Sequence, residues 1–407
     1  LEEVDLGEEV VLLLIVDGMS YSTLEASNTP MMDYLHRKGA MLTNCVVEAI
    51  PTISRSAHAT IATGAPVEVH GIYGNKYYER KNGKLIGFGP KHLRAETIAE
   101  VAEREGLNVS VLGNKGLGLS DITQEMHTPG DEGGAKAIRI LGKGASVIRV
   151  SDNTEVLEEA RKQILEKIRK REPISHKQYV ELDNVLAELV VETLDTEQPD
   201  LLMATFFGVD KASHGYGPTS REAIFTMENF DRILRRILLH LEEKRTKVSV
   251  IVTADHGNTE VNNYIDIVSL GREIDGVEEI ITEGRRSARV YLEDDADREF
   301  VKDELLRIRG VRDVVDVYWD SEKVGDLMVF PGYSSTFGVG LITTRRSCHG
   351  SPAPSDSVVP LLYYVPGMKF EKYVIVRQVD ISPTISSMIG VSPPKDSVGR
   401  SLFSPFR

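Results

Sequence analysis

Residues 10–18, VVLLLIVDG, place seven consecutive apolar side chains ahead of an aspartate and a glycine. No polar residue alternates with them, so the run reads as a strand buried on both faces, the signature of a parallel sheet covered on each side. Two later stretches repeat the pattern and also end in chemistry-bearing residues: PDLLMATFFGVD at 199–210 and KVSVIVTADHG at 247–257. A shorter run, NVSVLGN, lies at 108–114. Between them come helical patterns: TPMMDYLHRKG (29–39), VLEEARKQILEKIRKR (156–171), NVLAELVVETLD (184–195) and REAIFTMENFDRILRRILLHLEEK (221–244). Strand, helix, strand in this rhythm predicts an α/β fold, a doubly wound, mostly parallel sheet between helical layers.

From about residue 265 the rhythm changes. ARVYLEDDADREFVKDELLRIRGVRDVVDVYWDSEKVGDLMVF (288–330) reads as strand, helix, strand, strand, and the main pattern returns with VVPLLYYVPG (358–367) and DISPTISSMIG (380–390). The expected organisation is a catalytic α/β core from 1–264 and 336–407, with a small inserted α+β cap at 265–335. A loop-rich polar segment at 124–155 is a candidate cover for a site.

Composition narrows the function. With 407 residues, 41% hydrophobic and 27% charged, the chain has the balance of a globular protein with a large core. A formal net charge of -14 argues against a stable nucleic-acid partner, which needs clustered Lys and Arg. No run of eighteen apolar residues suggests a membrane span, and the residues before the first strand are acidic, unlike a secretory leader. The two cysteines, Cys45 and Cys348, form no disulfide framework, so cytoplasm is the expected location.

In open parallel sheets, ligands sit beyond the carboxyl ends of the strands. Asp17, Asp210 and the pair Asp255 and His256 occupy such ends, with His214 four residues past Asp210. Each alone suits turn or cap chemistry. Together they suggest a metal site, and mixed carboxylate and imidazole donors suit zinc or manganese rather than calcium. Three aspartates and two histidines exceed one tetrahedral ion, so two divalent ions are expected, an arrangement suited to displacement at phosphorus. The hydroxyl-rich stretch IPTISRSAHATIATG (50–64) runs into a helical pattern. A Ser or Thr at a helix amino end can serve as nucleophile, and equally as an N-cap, and spacing alone leaves Thr52, Ser54 and Ser56 open.

The ordered set IVDGMS, PTISRSAHATIATG, EVHGIYGN, GVDKASHGYGP, TADHGN, SCHG and DISPTISSMIGVSPPKDSVGRSLF resembles the alkaline phosphatase superfamily. Within it the likeness is to the branch of type I phosphodiesterases, nucleotide pyrophosphatases and phosphonoacetate hydrolases. It covers nearly the whole chain and implies an alkaline-phosphatase-like fold. It also implies Ser54 as nucleophile, three residues after Pro51 and four before His58, with Thr52 second. Asp17, Ser54, Asp255 and His256 would surround one metal, and Asp210, His214 and His349 the other. His349, in RRSCHGSPA, is a lone histidine that only the family order brings forward. Asn75 would contact a phosphoryl oxygen, while His58 and His70 are read as structural.

GNKYYERKNGKLIGF, PKHLRAETI and VGDLMVFPGYSSTFG resemble phosphonoacetate hydrolases more than nucleotide pyrophosphatases. That group carries two neighbouring lysines after a strand, whereas VLGNKGLGL offers Lys115 and then Leu117. Lys115 is a candidate substrate contact. Arg285 and Arg286, at the edge of the insertion, are candidates for a second anion contact or a surface charge pair. The expected activity is a two-metal hydrolase of small anionic phosphodiesters, nucleotide pyrophosphates or related esters through a phospho-Ser54 intermediate, with phosphonoacetate hydrolase and phosphomutase as alternatives. A homo-oligomer is compatible with this reading.

Overall fold

The computed structural model describes residues 9–113, 136–141, 144–149, 175–338, 345–367 and 375–402. Lys115, the helical pattern at 156–171 and most of 124–155 lie outside these. Of the last segment only the strands Lys136–Leu141 and Gly144–Arg149 are described, paired antiparallel.

A mixed α/β architecture is built on a seven-stranded sheet in the order Val376–Arg377, Met41–Val46, Val358–Tyr364, Lys247–Thr253, Glu9–Val16, Leu201–Phe206, Val109–Leu112. Glu9–Val16 lies near the centre, in register Val11↔Leu201 on one side and Leu14↔Val252 on the other. Seven of its eight residues are buried, as continuous apolarity predicts. Val358–Tyr364 is antiparallel to both neighbours, and the other pairings are parallel. Six strands therefore present their carboxyl ends at one edge, where Val358–Tyr364 presents its amino end. The loop before that strand is thereby delivered to the same edge.

Helices pack against the sheet in two groups. Arg221–Glu243 packs with His176–Thr196 and Gly208–Tyr216, and Ser54–Thr63 with Ile98–Arg104 and Ile381–Ile389. Ser220 caps Arg221–Glu243, the longest helix among the described residues, by accepting from Ala223 N, and Ala223, Met227, Phe230, Leu234, Ile237 and Leu241 recur at helical spacing on its buried face.

A separate four-stranded antiparallel sheet falls within the segment read as an insertion, in the order Val277–Glu283, Ser287–Leu292, Leu327–Pro331, Val311–Asp316. Val277–Glu283 precedes the stretch read as strand, helix, strand, strand, and the helix is Arg298–Arg307. This sheet has its own core, including Ile280, Val290, Val301, Leu305 and Val329. Val317, Val324, Met328 and Phe330 instead join the main core, which ties the two sheets together.

Candidate active site

Each carboxylate at the carboxyl edge is placed by a strand end. Asp17 follows Glu9–Val16, Asp255 and His256 follow Lys247–Thr253, and Asp210 stands in the first turn of Gly208–Tyr216, just past Leu201–Phe206. His214 is one turn further along that helix, with Nε2 3.3 Å from Asp210 Oδ1. Gly18 makes the turn at φ +70, and a Cβ there would lie 2.5 Å from Asn258 Nδ2 and 2.8 Å from Asp210 Cβ. Only glycine allows so close a crossing in this conformation.

His349 arrives from the other direction. Ser347–Cys348 pairs with Thr259–Glu260, which begins three residues past His256, in register Thr259↔Cys348. The side chain then stacks on His256, with ring centroids 3.5 Å apart.

All three imidazoles share one arrangement. Nδ1 donates to a backbone carbonyl: His214 to Ser347 O at 2.8 Å, His256 to Gly257 O at 2.9 Å and His349 to Thr52 O at 2.9 Å. That fixes the tautomer and leaves Nε2 as an acceptor, as metal-ligating histidines require. Nε2 of His214 accepts from Arg345 Nη1 at 3.2 Å, and Nε2 of His256 accepts from Ser54 Oγ at 3.2 Å. Burial pushes His214 down to about 3, outweighing the pull of Asp210. It also lowers His349 well below the usual range, helped by neighbouring His256. For His256 burial acts the same way, but the carboxylates of Asp255, Asp17 and Asp210 outweigh it and raise its affinity for a proton.

Donor atoms of Asp210, His214 and His349 lie within 4.8 Å of one another, as do those of Asp17, Asp210 and His256. Two separate ligand sets are what the family resemblance implies; here Asp210 is common to both groups. Asp255 lies beside them, Oδ2 3.5 Å from His256 Nε2, while its Oδ1 accepts from Gly18 N and His256 N. Asp17, Asp210 and Asp255 are all buried, and Lys211, 2.9 Å from Asp210, is the ammonium against them among the described residues. Three buried carboxylates converging with three acceptor nitrogens form a donor set fitted to divalent cations, whose charge would offset the crowding.

The structure also separates the three hydroxyls. Thr52 is fully buried and structural: Oγ1 donates to Ser351 O and accepts from Gly350 N, each at 3.0 Å, holding the His349 loop. Ser56 is fully buried. Ser54, first residue of the helix Ser54–Thr63, faces a cleft of about 340 Å³ lined also by Arg55, Asn75, Lys211, Arg285, Arg345 and His349. Asn75 stands across it, with Nδ2 donating to Glu283 Oε2 at 3.0 Å. His58 is buried behind Ser54, contacting Ser54 O and Thr205 Oγ1, and His70 is buried away from the cleft residues.

Arg285 and Arg286 part company. Arg285 lines the cleft and makes no ion pair among the described residues, whereas Arg286 is neither an anion contact nor part of a surface pair. It is 1% exposed, donates to Asp356 Oδ2 at 3.0 Å and to the carbonyls of Tyr333 and Ser335, and so ties the turn before Ser287–Leu292 to the segments around Tyr333 and Asp356. Both sit in the turn between Val277–Glu283 and Ser287–Leu292, where Arg285 takes a left-handed backbone at φ +63, and the turn sends one arginine to the cleft and the other to the interior. Sequence reasoning passed over Asn258, whose Nδ2 bridges Gly18 O and Asp210 Oδ1. It likewise missed Arg345, Lys211 and Glu283, although Lys211 adjoins Asp210 in a quoted motif.

The family model described as type I phosphodiesterase / nucleotide pyrophosphatase matches residues 11–326. Human ectonucleotide pyrophosphatase/phosphodiesterase family member 7 is 25% identical over 278 residues, covering 63% of this chain and 49% of that protein. The chain spans about half the length of the curated relatives it matches. Among solved structures, phosphonoacetate hydrolase from Sinorhizobium meliloti 1021, in complex with phosphonoformate, superposes with TM-score 0.66 at 22% identity, covering 92% of this chain and 94% of that one. Wild-type alkaline phosphatase PafA, an Elizabethkingia meningoseptica protein, superposes with TM-score 0.71 at 17% identity, covering 97% and 98%. At these identities the superpositions establish a shared fold. Among the described residues no helix is long and apolar enough to cross a membrane.

Proposed function

We propose that this chain, which belongs to the type I phosphodiesterase / nucleotide pyrophosphatase family, is a two-metal-dependent hydrolase of small anionic phosphodiesters, nucleotide pyrophosphates or related phosphoesters. One observation carries the reading: three imidazoles anchored through Nδ1 turn Nε2 into a cluster of buried aspartates beside a cleft-facing serine. Asp210, His214 and His349 would hold one ion, and Asp17, Asp255 and His256 the other, beside Ser54. Zinc suits these donors and manganese would accept them. Bound ions would supply Lewis-acid stabilisation of phosphoryl oxygens and ease ionisation of the attacking hydroxyl.

The chain's own residues supply the rest. Ser54 Oγ would attack phosphorus in line, forming phospho-Ser54 as the leaving oxygen departs, and water would then release phosphate or the monoester. Helix Ser54–Thr63 directs its free amino-end N–H groups at the same place, favouring negative charge there. Asn75 would donate to a phosphoryl oxygen. The inserted sheet at 265–335 would act as a cap that shapes the substrate wall. Cytoplasmic location, argued from cysteine usage, belongs to this proposal.

Arg285 favours a second reading, a phosphonoacetate-type phosphonate hydrolase. Its guanidinium lines the cleft without a carboxylate partner among the described residues and faces Arg345, so a substrate's second anionic group would suit it. Phosphomutase has no such observation in its favour. The test assays zinc-loaded protein and Ser54→Ala on bis-p-nitrophenyl phosphate, p-nitrophenyl phosphate and phosphonoacetate. Ester hydrolysis that falls on the order of a thousandfold or more in the variant supports the first reading. Phosphate release from phosphonoacetate alone selects the second, and full activity in the variant removes Ser54 from the mechanism.

A further inference from the structure

Asn75 is held from an unexpected side. Glu283, last residue of the inserted-sheet strand Val277–Glu283, is 2% exposed and collects four N–H donors. Its Oε1 accepts from Asn75 N at 3.1 Å, Lys76 N at 3.2 Å and Arg289 Nη2 at 2.9 Å, while Oε2 accepts from Asn75 Nδ2 at 3.0 Å. Arg289, fully buried, donates in addition to Tyr73 O and Lys323 O. Gly74 lies directly on this pair: a Cβ there would stand 1.8 Å from Arg289 Nη2. The backbone of 73–76 is therefore clamped onto a buried ion pair belonging to the insertion.

A carboxylate offers only acceptors. Asn75, itself exposed, then keeps Nδ2 toward Glu283, because a flipped amide would set Oδ1 against a carboxylate oxygen and take this donor from the buried Glu283 Oε2. One Nδ2 proton is used there, and the other remains for the cleft that Asn75 lines with Ser54. The hairpin continues into Gly284, where a Cβ would meet His349 O at 2.4 Å, so the same turn abuts both Asn75 and the His349 loop.

We propose that Glu283 is a positioning residue that fixes Asn75 as a donor toward the phosphoryl group. The inserted sheet thus sets transition-state stabilisation as well as substrate shape. This rests on the reading of Asn75 as a phosphoryl contact, and the test separates the two. On the ester that the intact protein hydrolyses, kcat and KM are measured for Asn75→Ala, Glu283→Gln, Glu283→Asp and the double variants, with melting temperatures alongside. Gln removes the all-acceptor face, whereas Asp keeps the charge beside Arg289 and withdraws it by one methylene, which preserves folding should Gln not fold.

The expected result is a kcat loss of roughly 10- to 100-fold for either Glu283 variant, with KM changed less than about threefold. In the Asn75→Ala background the Glu283 substitution should change kcat less than about threefold, while still lowering the melting temperature. Unchanged kcat in both Glu283 variants, or losses that multiply with that of Asn75→Ala, would overturn the inference and leave Asn75 a donor. Unchanged kcat in Asn75→Ala would remove the donor reading and this inference with it.

Discussion

His70 provides a stability switch that can be calculated. It is fully buried, Nδ1 accepts the Ile72 N–H at 3.1 Å, and Nε2 faces Thr60 Oγ1 at 3.1 Å. With Nδ1 serving as an acceptor, the proton must sit on Nε2. A second proton would oppose two N–H groups, and burial pushes His70 down to about 3. Above pH 6.5 both folded and unfolded chains carry neutral His70, and its contribution is complete. As pH falls below 6.5 the unfolded chain takes up a proton that the fold refuses, and stability declines by about 1.4 kcal/mol per pH unit until the folded value is reached. Between pH 6.5 and 5 this amounts to roughly 2 kcal/mol. His70→Asn keeps an acceptor for Ile72 N–H and cannot titrate. It should be less stable at pH 7 by about 1–2 kcal/mol, yet lose roughly 2 kcal/mol less than the parent on going to pH 5 in urea unfolding. Equal losses in both proteins would refute the assignment.

Three further outcomes follow from the same geometry. Arg286→Ala leaves Asp356 buried without its guanidinium, so urea unfolding should show a loss of about 3–5 kcal/mol; a change below about 1 kcal/mol would mean that the pair does not anchor the turn before Ser287–Leu292. Gly18→Ala forces a Cβ onto Asn258 and Asp210 at φ +70, so calorimetric titration should show weakened zinc binding while the far-ultraviolet spectrum is kept; unchanged affinity would contradict that placement. Thr52→Val removes the bonds to Ser351 and Gly350 and should cost about 1–3 kcal/mol of stability with kcat reduced less than about tenfold; a loss matching that of Ser54→Ala would make Thr52 the nucleophile.

The fold was legible where the chain is simple. Leu12, Leu13 and Leu14 have no polar neighbours, so burial on both faces followed, and the sheet's site edge was marked by Asp17, Asp210 and Asp255. The direction of Val358–Tyr364 was not legible, since an apolar run reads alike whichever way it crosses the sheet. That reversal delivers the segment carrying His349 and Asp356 to the site, which is why a lone histidine in RRSCHGSPA had no local signal. Among Thr52, Ser54 and Ser56 spacing was silent, because burial and partners, not composition, distinguish a hydroxyl that holds a loop from one that faces a cleft. Glu283 was invisible for a similar reason: its partners Asn75 and Lys76 lie about two hundred residues earlier.

The most direct measurement is a rapid acid quench of the zinc-loaded protein during turnover of an activated phosphoester, followed by peptide mass spectrometry of the 50–64 region. Transient phosphorylation is expected on Ser54, at a level that follows the burst of released leaving group and disappears in Ser54→Ala. Turnover with no phosphorylated peptide, or with the phosphoryl group on Thr52 or Ser56, would contradict it.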